Sequence, residues 1–140
     1  LDTITDLAGP AAAQVTAHRA DLMAASQRSE AAVVTPHDPG GLSHAQRRAL
    51  ASRIAERNGD AALAAHYAGG DVPPDPRWVA ILRHADLLTE HPKDATRVDI
   101  EALKEAGVAE ADIVRLSQLV AFVNYQVRVI AGLRLIGAAA

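Results

Sequence analysis

Residues 112–136 read DIVRLSQLVAFVNYQVRVIAGLRLI, the most apolar stretch of the chain and one without a proline. Wound as a helix, it carries Leu116, Val120, Val123, Val127 and Ile130 on one stripe. Phe122, Val129, Leu133 and Ile136 form a second. A helix that is apolar over most of its circumference is buried in a core or at a subunit contact, because a surface helix needs only one apolar face. One narrow seam is polar: Ser117, Asn124 and Arg128, flanked by Gln118 and Gln126. The segment is therefore expected to be a central helix, packed by the rest of the chain or by another copy of it.

The remainder of the composition agrees with helix packing. At 140 residues the chain is long enough for one hydrophobic core. Hydrophobic residues make up 49% and aromatics only 3%, so that core is built from Ala, Leu, Val and Ile. A net charge of -3 gives no electrostatic case for a nucleic-acid partner. Arg47, Arg48, Arg53 and Arg57 read as one solvated helix face. The absence of cysteine excludes disulfides, thiolate metal sites and thiol redox chemistry. A membrane span needs about 20 mostly apolar residues. The longest uncharged run of the central helix, Leu116 to Val127, holds Ser117, Gln118, Asn124 and Gln126, so no membrane partner is expected. The first residues, LDTITDLAGP, carry acids where a signal peptide carries bases, and a cytoplasmic protein is expected.

Along the chain, residues 1–41 divide into an arm, a helix and a loop, and residues 42–140 form a helical unit continuous with them in a single compact domain. The arm ends at Gly9-Pro10, and a weakly amphipathic, Ala-rich helix follows from Ala11 to about Glu30. That helix should lie outside or reach a neighbouring subunit. The Pro/Gly-rich run 35–41 is a loop. Ser43 with Gln46 is a capping box for a second helix, which Asn58-Gly59 ends. Asp60 caps a short helix over 61–67, and a proline-stiffened loop follows. A helix from about Arg77 to Glu90 turns Val79, Leu82, Leu87 and Leu88 inward, and Asp99 caps another over 100–106. The central helix starts near Glu110, whose charge, with that of Asp112, suits a helix N-terminus. The chain reads as all-α, a bundle of five to six helices with a long apolar C-terminal helix.

The order of these pieces, and above all AGVAEADIVRLSQLVAFVNYQVRVIAGL, resembles the carboxymuconolactone decarboxylase superfamily, in particular its AhpD-like, peroxidase-related branch. The likeness covers about residues 42–136. It implies an oligomeric all-α bundle. In thiol-active relatives a C-x-x-C pair opens the short helix, where its thiolate gains from the helix dipole. A His follows, and an acid on the preceding helix completes a proton relay. Here the cysteine places read Asp60 and Leu63, or Gly59 and Ala62 if His66 sets the register. The acidic place reads Gln46-Arg47-Arg48. The resemblance leaves His66 alone as a counterpart, so disulfide cycling cannot run.

His66 is a general acid or base, or a half-buried hydrogen-bonded remnant. Glu56 is close enough in sequence to pair with His66 or Arg53, or is a surface acid. Asn124, Tyr125 and Arg128 line a pocket facing His66, or fix helix register through hydrogen bonds. His84 and His91, seven apart and thus roughly 10 Å along a helix, are too distant for one ion and read as a solvated face. No metal, cofactor or phosphate-loop motif is present. The expected protein is AhpD-like and resembles peroxidase-related oxidoreductases without thiol peroxidase chemistry. Two alternatives stand beside it. One is an acid/base enzyme on a small organic acid or lactone, with His66 as base and Arg128 or Asn124 holding the anion. The other is a non-catalytic partner of a cysteine-containing relative, in a homo- or hetero-oligomer.

Overall fold

The structure, a computed structural model, describes residues 2–139. Among them are eight α-helices: α1 (Thr3–Ala8), α2 (Ala13–Ala17), α3 (Ala20–Val34), α4 (His44–Arg57), α5 (Ala61–Tyr67), α6 (Trp78–Glu90), α7 (Arg97–Glu105) and α8 (Glu110–Ala139). Short 3-10 turns occupy Pro10–Ala12 and Pro92–Asp94. The bundle is all-α, but the expectation of five to six helices is corrected. The supposed arm is a helix because Asp2 caps it, accepting the Thr5 amide at 2.8 Å. The supposed single helix over 11–30 breaks at His18-Arg19, where Arg19 leaves the helical conformation (φ -130°, ψ 47°).

α8 is the axis of the bundle, packed by α1, α3, α4 and α6. Leu116, Leu119, Val123 and Ile130 on it are fully buried. Around them stand Leu50 and Ile54 of α4, Leu63 and Tyr67 of α5, Ile81 of α6 and Leu103 of α7. The second expected stripe is only partly inward: Phe122 is buried, while Ile136 is half exposed. By length and mean hydropathy (1.4), α8 would suffice to cross a bilayer, contrary to the expectation from its short uncharged run, and 44% of its most apolar 18 residues is buried inside the fold.

The capping box predicted at Ser43 and Gln46 forms, and Gly59 takes the left-handed conformation (φ 77°) that ends α4. Asp99 instead sits third in α7, whose cap is Thr96. Val79 is exposed, and Ile81, His84 and Ala85 are the inward residues of α6. Two charge assignments also change. Arg47 is buried and donates to the carbonyls of Leu42, Val33 and Pro39 at 2.7–2.8 Å, so it clamps the 35–42 loop. Arg53 and Arg57 pair across to Asp86 on α6. His84 is buried between α6 and α7, next to a void of about 50 Å³ shared with Asp99 and Leu103, and is no surface residue.

The loop is fixed from the other side by Asp112, which accepts the Gly41 amide at 3.0 Å and the Arg115 guanidinium at 2.8 Å. A Cβ on Gly41 would collide with that carboxylate. Gly41→Ala is therefore expected to cost about 1–3 kcal/mol in urea unfolding; an unchanged midpoint would mean that the loop yields. Burial holds the His84 imidazole below its ordinary range, with the Asp99 charge opposing. The unfolded chain thus takes up this proton first as pH falls, so stability drops below about pH 6.5. His84→Gln should flatten that part of the thermal-midpoint profile; an unaltered slope would assign it to another group.

Candidate functional site

α5 is short, and α4 holds it in place. The Ser52 hydroxyl donates to the Ala64 carbonyl at 2.9 Å, and Arg48 donates to the His66 carbonyl at 3.0 Å. At the other end Asp60 caps α5 by accepting the Leu63 amide at 3.0 Å. Its second oxygen takes Arg134 of α8 at 3.1 Å, and Arg134 also donates to the Leu7 carbonyl of α1 at 3.1 Å. A carboxylate–guanidinium pair therefore fills the place where the resemblance puts a reactive thiolate. Leu63, at the second cysteine place, is fully buried and inert. The three residues at the expected acidic place are committed elsewhere: Gln46 to Asp75 and Ser43, Arg47 to the loop, Arg48 to α5.

The acid that reaches His66 comes instead from α3. His66 Nε2 lies 3.6 Å from Glu30 Oε2 and 3.4 Å from the Thr3 hydroxyl. The His66 side chain is 35% exposed and that of Glu30 12%, so the imidazole spans from solvent to a sheltered carboxylate. Glu30 accepts from Gln126 Nε2 at 2.7 Å, Tyr67 Oη at 2.8 Å, Gln27 Nε2 at 3.0 Å and Thr3 Oγ1 at 3.1 Å. Burial pushes its carboxyl upward, but these four donors outweigh that and hold it below the ordinary carboxylate value. Burial, then the adjacent Glu30 charge, pushes the Tyr67 hydroxyl far up, so it stays protonated and keeps donating. Its oxygen is also 2.5 Å from Gln126 Oε1, and one hydroxyl proton serves both oxygens. The Tyr67 ring meets the His66 ring edge-on at 4.8 Å.

The other candidates are placed away from this cluster. Asn124 Oδ1 accepts from Asn58 at 3.0 Å, and its amide donates to the Val120 carbonyl at 2.9 Å. Arg128 is exposed and donates to the Asn124 carbonyl of its own helix. Asn124 and Gln126 stand two residues apart, roughly 200° around α8, so one faces α4 while the other faces Glu30. Tyr125 hydrogen-bonds Ser26 of α3 at 2.8 Å. Glu56 is exposed on α4 and, among the described residues, bonds neither His66 nor Glu30. No group of three His, Asp or Glu among the described residues is placed to hold a metal.

The fold and site together define a cysteine-free helical bundle in which an acid–imidazole pair lies beneath an N-terminal helix. No family model matches the chain, and no curated protein does. Four solved chains match it. One is the crystal structure of an uncharacterized peroxidase-related protein from Silicibacter sp. TM1040, with a TM-score of 0.63 and 18% sequence identity. The match covers 81% of this chain and 68% of that one. At that identity the likeness is one of fold.

Tyr67→Phe removes a donor from a buried carboxylate and should destabilise the protein by about 1–3 kcal/mol. An unchanged urea midpoint would show that Glu30 finds the missing bond in solvent.

Proposed function

We propose that this chain is an AhpD-like, carboxymuconolactone-decarboxylase-superfamily protein that does not run thiol peroxidase chemistry and works instead as a non-thiol acid/base enzyme on a small organic acid or lactone. The observation that carries this is the His66–Glu30 pair. The Thr3 hydroxyl donates its proton to Glu30, so its oxygen is left to accept at 3.4 Å from a protonated Nε2, while the Glu30 carboxylate at 3.6 Å acts on the ring as a charge. That fixes the tautomer and leaves Nδ1 as the basic nitrogen. A proton taken from substrate at Nδ1 gives an imidazolium, which the Glu30 carboxylate stabilises without taking the proton itself. Arg48 of α4, which donates to the His66 carbonyl, is the cation held beside this turn of α5 for a substrate carboxylate or developing oxyanion, in place of Arg128.

A second reading has its own support. The Asp60–Arg134 pair occupies the thiolate place, and Thr3 lies over the acid–imidazole pair, as suits a non-catalytic partner of a cysteine-containing relative. The two are separated by assaying a panel of lactones and β-keto or β,γ-unsaturated acids, beside peroxide with a dithiol reductant. The expected result is turnover of one carbon acid or lactone. Removing a positioned general base should lower it by roughly 10²–10⁴-fold in His66→Ala, and Glu30→Gln should lower kcat while shifting the pH profile. Peroxide turnover should not exceed buffer. Full activity in His66→Ala would move the site elsewhere, and inertness of the wild type across the panel would favour the partner role.

A further inference from the structure

The break at His18-Arg19 does more than divide a helix. It turns α2 away from the start of α3, and the side chains on the two facing sides are too small to fill the angle between them. What is left is an open groove of about 800 Å³ along α1, α2 and α3. Small-molecule sites have volumes of about 300–1,000 Å³, are mostly apolar, and carry a few polar groups that orient the ligand. This groove follows α3 from Ala20 to Ala31, a length of about 16 Å at the helical rise.

Its two ends differ in chemistry. At the α2 end the walls are Ala17, Ala20, Met23 and Ala24. The one hydroxyl there, of Thr16, is spent on the Ala13 carbonyl at 3.0 Å. At the α1 end stand Asp2, Thr5, Gln27 and Arg28. Arg28 is exposed and bonded to no carboxylate among the described residues. Gln27 gives one N–H to Glu30 at 3.0 Å, and its Oε1 takes the Thr3 amide at 2.9 Å. Its second amide N–H is unspent. Asp2 is the one acid in the walls, and its Oδ1 is held by the Thr5 amide. A guanidinium beside a spare N–H suits one carboxylate, because both donate and neither accepts. Asp2 opposes a second negative charge.

We propose that this groove binds an aliphatic monocarboxylate of medium chain length. Its carboxylate rests on Arg28 and Gln27, and its chain lies along Ala24, Met23 and Ala20 toward α2. The chain supplies affinity by leaving water, and Arg28 supplies direction. A quaternary ammonium of the same length has the wrong charge for Arg28, and a dicarboxylate sets its second charge against Asp2. The site is separate from the acid–imidazole chemistry proposed above: Gln27 keeps both of its inward bonds when the groove is filled.

Met23 is the one methionine of the sequence, so a carbon-13 methyl label on methionine reports from the groove wall itself. The experiment titrates the full labelled chain with sodium decanoate below the concentration at which it forms micelles. The Met23 methyl signal should move and saturate. Affinity should rise roughly twofold to fourfold for each methylene added from octanoate to dodecanoate. Decyltrimethylammonium should bind more weakly than decanoate. Arg28→Gln should weaken decanoate binding about threefold to fivefold, as for an exposed ion pair. Asp2→Asn, which keeps the helix cap, should tighten it. Ala24→Trp, at an exposed helical position, should fill the groove and abolish the response with unchanged circular dichroism. A methyl signal indifferent to decanoate would overturn the proposal, as would an ammonium that binds as well as the acid. So would wild-type affinity in Ala24→Trp or Arg28→Gln, or weaker binding in Asp2→Asn. A signal that moves with protein concentration alone would give the groove to a second copy of the chain and overturn it as well.

Discussion

A carboxylate cannot be sheltered from water unless something replaces the water, and in this protein that requirement joins the N-terminal third to the rest. α3 has too few buried apolar residues to be fixed by the hydrophobic effect. Its attachment is polar: Glu30 draws donors from α1, α5 and α8 through Thr3, Tyr67 and Gln126, with Gln27 from its own turn. Three of these donors are positioned by other helices, so their directions fix the angle of α3 as well as its position. The same constraint places His66 beside an acid. The acid–imidazole pair and the attachment of α3 are one set of bonds, and changing either changes the other.

Periodicity made the heart of the fold legible. Leu116, Val120, Val123, Val127 and Ile130 repeat at three and four residues, and all five are buried. Local chemistry was legible where it stays local: the Ser43–Gln46 box, the left-handed Gly59 and the Asp60 cap each involve residues no more than a few positions apart. Apolar pattern failed where a residue's fate depends on distant partners. Arg47 looked like Arg48, Arg53 and Arg57 but is buried, because a guanidinium can satisfy three carbonyls at once. Val79 and His84 exchanged their expected faces because α7 covers the His side of α6.

The candidate site was half legible. The family resemblance singled out His66, along with Asp60 and Leu63 at the places of its cysteines. Its partner was invisible to the same logic, since Glu30 lies 36 positions earlier in a helix whose weak amphipathicity gave no hint of an inward acid. A signal was present nonetheless. Gln27 and Glu30 stand one turn apart, and Gln126 is a polar residue in an otherwise apolar helix; such residues need counterparts somewhere in the fold. Asn124 and Arg128 drew attention because they break an apolar helix, but breaking a stripe says only that a partner exists, and here the partners are α4 and the helix's own backbone.

Arg134 has a consequence for the order of assembly. It bonds Leu7, 127 residues away along the chain, and Asp60, 74 residues away. Gly137 meanwhile lies against Ala11. The helices themselves are made of local contacts and can form early, but bonds of such long range close last, because the chain entropy lost in closing a loop grows with its length. On the ribosome, α1 can meet α3 early, but its dock on α8 waits until most of α8 has emerged. Gln126 is the last of the four Glu30 donors to emerge, so the carboxylate keeps part of its water until α8 has been made that far.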